Sequence, residues 1–250
     1  MRFIVECYRD LADIYDNLIN SDIDYKLWAS VIKDKCDKYG VNFENYLDVA
    51  CGTGNFTQHL CKKFKNTWAV DLSEEMLTVA EEKFRKEGLK ARFICQDMRE
   101  LCLNRKFDLI TCCLDSTNYL LEDEDVLEFF KSVKSLLKDD GMFLFDINSY
   151  YKLIHILGNQ VYNYDEGDIF YLWQNFLENN IIDMELTFFI KNGQEYSRFD
   201  EVHTERAYKE EEIEALLESA GLRVLEKLDN YCEKEIHEKC ERITYVVKKK

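Results

Sequence analysis

The 250-residue chain predicts an α/β domain: a seven-stranded, mostly parallel sheet with helices on both faces, plus a small antiparallel β insertion. Three observations carry this. Strand and helix patterns alternate from Tyr46 to Ile147. After Tyr150 strand patterns follow one another, separated by Asn179-Asn180 and Asn192-Gly193. Beyond Arg206 a helix and two strands resume the first pattern. A chain this long buries roughly 70 to 75% of its unfolded surface, enough for one large core.

Leu11, Ile14, Tyr15 and Leu18 recur at helical spacing. Tyr25, Trp28, Ala29, Ile32 and Cys36 form a second apolar stripe that ends at Gly40, so residues 1–40 read as a two-helix cover. A strand at Tyr46 to Ala50 leads into a helix from Asn55 to Phe64, and a strand at Thr67 to Leu72 into a helix from Ser73 to Glu87. Ser73 caps that helix, Glu74 and Glu75 suit its positive end, and Gly88 stops it. Strands at Ala91 to Cys95 and Phe107 to Leu114, a helix from Asp123 to Lys138 and a strand at Met142 to Ile147 complete the first run.

Residues 151–206 read as an inserted meander of three strands, Asp168 to Glu178, Ile181 to Ile190 and a last one ending near Arg206, because Asn-Gly takes the positive φ of a tight hairpin. A helix at Glu210 to Ala220 and strands at Leu222 to Leu228 and Arg242 to Val247 close the main domain, which therefore spans 1–150 and 207–250.

Composition excludes several function classes. Forty-nine acids against 33 bases leave a formal charge of −16, which repels phosphate backbones and anionic membrane surfaces, so neither nucleic acid nor membrane is an expected partner. No apolar run approaches the ~18 residues of a membrane span. Glu6 interrupts the amino terminus before an export signal can form, which places the chain in the cytoplasm. The ten cysteines include no C-x-x-C pair and accompany no His-x₃₋₅-His, so buried reduced thiols are expected and no metal. Proline is absent altogether.

The stretch Asp48-Val49-Ala50-Cys51-Gly52-Thr53-Gly54-Asn55 follows the first strand, where open α/β sheets bind ligands and glycines admit close backbone approach. No G-K-[ST] follows, and Thr57 stands where a dinucleotide fingerprint needs its third glycine. Asp71 closes the second strand, placed to accept the hydroxyls of a ribose, and Gln96-Asp97-Met98 brings another acid to the same edge. With these acids the sequence resembles the class I S-adenosylmethionine-dependent methyltransferases, closely over Tyr46 to Asn148 and more loosely after Tyr208.

The resemblance implies a Rossmann-like fold and S-adenosyl-L-methionine as cofactor. It implies that Ala50, Gly52, Gly54 and Asn55 form the loop against the donor's methionine portion, with Asp48 holding that loop. Asp71 would bind the ribose, Asp97 and the Met98 backbone the adenine amine, and Met76 the adenine face. Leu114, in Cys113-Leu114-Asp115-Ser116, would lie beside the methyl group, while Tyr15, Tyr25 and Trp28 would cover the donor. The expected reaction moves a methyl group to an N or O atom of a small molecule, with the meander as acceptor lid. Without proline, the N/D-P-P-Y motif of base-amine methylation and the Pro-Cys nucleophile of pyrimidine-carbon methylation cannot exist here. A protein acceptor, a non-catalytic donor sensor and a nicotinamide-dependent oxidoreductase stay open as alternatives. For catalysis the sequence offers Asp115 and Tyr119 after the fourth strand to orient the acceptor, His203 to take its proton and Arg206 to supply a fixed charge. Strand alternation sends His203 and Arg206 to opposite faces.

Overall fold

The computed structural model describes Asp16 and residues 23–250. The first expected helix, including Tyr15, lies outside the described residues. The second is α1, Tyr25–Lys38, capped by Asp24, whose carboxylate accepts the Leu27 N–H at 2.9 Å. The alternating run then gives β1 (Asn45–Val49), α2 (Thr57–Leu60), β2 (Asn66–Asp71), α3 (Glu74–Glu87), β3 (Arg92–Cys95), β4 (Phe107–Cys112), α4 (Asp123–Leu136) and β5 (Leu137–Asn148). Ser73 caps α3 as expected, and Gly88 ends it at φ +65°. The helix expected from Asn55 to Phe64 is shorter, because residues 50–56 stay in the loop after β1 and Cys61–Lys63 tightens into a 3₁₀ turn.

A π-helical turn at Lys152–Leu157 leads to β6 (Val161–Glu166), β7 (Ile169–Glu178), β8 (Ile181–Asn192) and β9 (Glu195–Arg206). After them come α5 (Glu210–Ser219), β10 (Leu222–Asp229) and β11 (Arg242–Lys249). The seven-stranded sheet has the order β10-β11-β5-β4-β1-β2-β3. β11 runs antiparallel to both neighbours, and the other pairs are parallel. The strand order reverses between β1 and β4, which opens a crevice beyond their carboxyl ends.

Period-two alternation divides the core. Leu47, Val49, Ile110, Phe143, Phe145 and Ile147 pack on the face covered by α4 and α5. Tyr46, Leu109, Met142, Leu144 and Val246 pack on the α1 side. Phe145 stacks between Phe143 and Tyr245, each pair of ring centroids 4.9 Å apart. On the α1 side, Asp48, Thr111 and Asp146 continue the alternation of Tyr46, Leu109 and Leu144, and they are polar and buried near the carboxyl ends. Burial without hydrogen bonds would cost each of these groups several kcal/mol, roughly 2 to 7, so their partners mark a built site.

The insertion is a four-stranded antiparallel sheet, β6-β7-β8-β9, where the sequence predicts three strands. Val161–Glu166 carries Asn163, Asp165 and Glu166, types depleted in strands, which hides it from a pattern reading. It forms because pairing with β7 sets Tyr162 against Trp173 and Tyr164 against Tyr171, with ring centroids 5.4 and 5.1 Å apart. Ile182, Met184 and Ala207 pack with Leu153 and Leu157, so the helical turn before β6 and the chain just after β9 close on this sheet.

Candidate functional site

A cavity opens at the carboxyl ends of β1, β2, β3 and β4. Its first wall is the loop after β1, where Ala50, Gly52 and Gly54 all have positive φ. The Gly52 N–H donates to Asp71 Oδ2 at 2.7 Å and the Ser73 N–H to Asp71 Oδ1 at 2.9 Å. Asp71 thus ties the β1 loop to the start of α3 and keeps lone pairs for a ligand. A Cβ on Gly52 would enter open space, whereas one on Gly54 would lie 3.0 Å from Phe84 Cε2. Gly52 faces the cavity; Gly54 serves packing against α3 and does not line it.

Asp48 is buried and accepts the hydroxyls of Thr57 at 2.5 Å and Thr111 at 2.7 Å. Thr57, the residue that replaces a third glycine, therefore pins the loop to β1. Burial raises the Asp48 pKa to about 6 despite those hydroxyls. Asn55 and Thr53 donate to Asp16 at 2.7 and 2.6 Å, and Lys83 closes the cluster as an ion pair with Asp16 at 2.5 Å.

Met76, Gln96, Asp97, Met98 and Arg99 form the opposite wall. Burial works to raise the Asp97 pKa, but bonds from Arg99, the shortest 2.6 Å, outweigh it and hold the carboxyl below its ordinary value. Arg99 also reaches Asp125 at 3.1 Å. Tyr25 joins the lining with its hydroxyl buried and without a hydrogen-bond partner among the described residues.

At the end of β4 both Leu114 and Asp115 are left-handed, φ +62° and +52°, which costs of order 1–3 kcal/mol each without glycine. Asp146 holds them there: its carboxylate accepts Leu114 N–H and Asp115 N–H, each at 2.9 Å, the Tyr231 hydroxyl at 2.6 Å and the Arg242 guanidinium. Arg242 spans to Asp115 at 2.6 Å. Trp28 covers this cluster, stacked on Tyr231 at 4.1 Å with Arg242 over its ring; it does not line the cavity as the sequence reading expects.

Beyond the turn, Tyr119 lines the cavity and meets His203 Nδ1 at 3.2 Å. Alternation holds along β9, with Glu201, His203 and Glu205 buried on one face. Arg206 points the other way, paired with Asp123 at 2.8 Å and Glu212 at 3.3 Å and away from the cavity. Asn148 donates to Glu205 at 2.9 Å and accepts from Lys152 at 2.9 Å. Burial drives the Glu205 carboxyl up and the Lys152 ammonium down.

The structure gathers Tyr25, Asp48, Ala50, Gly52, Asn55, Asp71, Met76, Asp97, Met98, Leu114 and Tyr119 around one cavity. Asp115 and His203 stand just behind it, and Tyr15 lies outside the described residues. Sequence reasoning misses Asp146, Arg242, Lys152 and Glu205. Asp146 carries the signal used for Asp71, an acid near the carboxyl end of a strand. The others take their place from long-range packing alone.

Burial lowers the His203 pKa from 6.5 to about 4, with Asp115 opposing, so the imidazole is neutral at pH 7. The folded value lies below the unfolded one. The resulting stability is complete above pH 6.5 and lost as pH falls from 6.5 through 4, by about 3 kcal/mol. Urea unfolding across pH 4 to 7.5 should show this acid limb in the wild type and a flatter one in His203→Gln. Equal slopes would remove the assignment of a buried neutral imidazole.

The geometry agrees with comparisons to known proteins. A family profile described as "Methyltransferase domain" matches residues 47–141. A methyltransferase-family protein of Geobacillus sp. (strain WCH70) is 35% identical over 246 residues, covering 97% of this chain and 99% of its own. The dTDP-3-amino-3,4,6-trideoxy-α-D-glucopyranose N,N-dimethyltransferase of Streptomyces venezuelae is 30% identical over 219 residues, covering 86% and 91%. The crystal structure of an S-adenosylmethionine-dependent methyltransferase from Clostridium acetobutylicum superposes with a TM-score of 0.92 at 55% identity, over 96% of this chain and 98% of that one. With its sheet order, its acid at the end of β2 and these relatives, the chain belongs to the class I S-adenosylmethionine-dependent methyltransferases.

Proposed function

We propose that this methyltransferase alkylates an amino nitrogen of a small-molecule acceptor held between the donor cavity and the inner face of the second sheet. The observation that carries the reading is Tyr119, which lines the donor cavity while its hydroxyl meets His203 on β9. The N,N-dimethyltransferase relative from Streptomyces venezuelae supports nitrogen over oxygen.

On the donor side, Gly52 lets the methionine portion approach the loop and Asp71 takes the ribose hydroxyls. Asp97 with the Met98 backbone would face the adenine amine, Met76 would pack on the ring, and the buried Tyr25 hydroxyl would find a partner in the donor. The donor supplies an activated methyl on a sulfonium. With that donor bound, the acceptor lone pair would attack the methyl carbon in line, breaking the carbon–sulfur bond and releasing S-adenosylhomocysteine. The left-handed Leu114–Asp115 turn sets the position of the methyl, and exclusion of water with fixed orientation supplies most of the acceleration. Neutral His203 holds Tyr119, and Tyr119 orients the amine; the methylated ammonium gives its proton to solvent. Arg206 is committed to its ion pairs and has no part in this scheme.

Two measurements test the scheme. Losing hydrogen bonds to a charged carboxylate costs about 1.5 to 3 kcal/mol, so Asp71→Ala should weaken donor binding roughly 10- to 150-fold by calorimetry; unchanged affinity would overturn the donor side. With methyl-labelled donor, amino-sugar nucleotides and simple amino sugars should gain label on nitrogen while their hydroxyl analogues do not. Label confined to hydroxyl analogues or to protein would reject the amine reading.

A further inference from the structure

Asp229, at the end of β10, forms a cluster away from the cavity with His237 and Cys240 of the loop 230–241 that leads to β11. One oxygen, one nitrogen and one sulfur donor atom lie within 4.8 Å of one another. His237 Nε2 stands 3.4 Å from Asp229 Oδ2. Ligands about 2.0 to 2.3 Å from a tetrahedral zinc ion lie roughly 3.3 to 3.8 Å apart, so the Asp229–His237 pair already has that spacing and the sulfur needs a small approach. We propose that Asp229 Oδ, His237 Nε2 and Cys240 Sγ bind a borderline-soft divalent cation of the zinc type, leaving the fourth position to water.

Four features support a cation here. The His237 N–H donates to Cys240 Sγ at 3.2 Å, a bond that strengthens as the sulfur becomes a thiolate. Cys240 is buried while His237 is exposed, which gives the ion a sulfur floor and an open entrance. Acids outnumber lysines between Asp229 and Glu241, so the local field attracts cations. The backbone is braced on both sides of the cluster, by Asn230 N–H to Arg242 O at 3.0 Å and Ser149 Oγ to Cys240 O at 2.5 Å. The sequence reading, which expects no metal, weighs only paired cysteines and paired histidines, whereas here His-x-x-Cys stands beside an aspartate at the end of β10.

Binding exchanges protons for metal. The Cys240 thiol gives up its proton to solvent. The neutral imidazole moves its proton from Nε2 to Nδ1, and the Lys239 N–H, now 3.2 Å from Nδ1, turns to water in an exposed stretch. One proton leaves per cation bound. The consequence reaches the methyl-transfer site, because the same loop carries Tyr231 and feeds directly into Arg242, both of which hold Asp146.

Cobalt(II) reports a thiolate ligand by its near-ultraviolet charge-transfer band. Titrating the full chain with cobalt, then displacing it with zinc, should give one site per chain. The band should vanish in Cys240→Ser, and affinity should fall about 100-fold or more in His237→Ala, whose exposed side chain makes that variant safe for folding. A Cys232→Ser control should keep the band. Absence of a charge-transfer band in the wild type, or equal metal binding by wild type and His237→Ala, would overturn the site. Neither outcome depends on donor binding or on the acceptor.

Discussion

Asp146 is the constraint on which the site depends. A carboxylate offers about four lone-pair positions, and here two backbone N–H groups, one phenol and one guanidinium fill them in a fully buried place. Satisfaction at every position is what makes its burial tolerable. Removing one partner of such a buried pair costs about 3 to 5 kcal/mol, because the remaining charge is stranded. Two non-glycine residues in succession hold left-handed backbone at Leu114 and Asp115, and that strain persists because Asp146 fixes both amides. The chain has no proline, and this turn is fixed from the neighbouring strand β5 instead.

The same carboxylate joins distant parts of the chain. Tyr231 and Arg242 come from either side of the loop between β10 and β11, and Trp28 arrives from α1 to cover them. Arg242 then hands on to Asp115 and Asn148, and Asn148 to Lys152 and Glu205. The Asn118 amide crosses from the turn after β4 to the backbone of Arg206 at 3.0 Å and of Asn148 at 3.2 Å. The main sheet and the inserted sheet are therefore connected by a buried polar network. Such networks fix geometry firmly when every member is satisfied. In-line methyl transfer asks for that fixity, since an ångström of misplacement at the reacting atoms can cost about 100-fold in rate.

The cavity at the carboxyl ends of β1 to β4 was legible in the sequence because local signals coincide there. Positive-φ glycine after a strand, an acid closing β2 and an acid after β3 each follow from a short stretch, and the resemblance linked them. The second sheet was legible in part: Asn179 and Asn180, at φ +49° and +65°, make the tight hairpin that their types predict. β6 was hidden because its stability comes from aromatic pairing across to β7, not from its own composition. The acceptor side was least legible. Whether His203 is a solvated charge or a neutral imidazole against Tyr119 depends on what covers β9. Trp28 shows the converse failure: its helical stripe marked it as buried, yet nothing local told that it would cover an ion pair in place of the donor.

If Asp146 sets the Leu114–Asp115 turn, its effect should be confined to that turn and to chemistry. Amide hydrogen exchange of Asp146→Asn, read residue by residue beside donor affinity and turnover, tests this most directly. The account predicts faster exchange at Leu114 and Asp115, donor affinity within about threefold of wild type, and loss of turnover by about 100-fold or more. Unchanged protection at those two amides with wild-type turnover would contradict it.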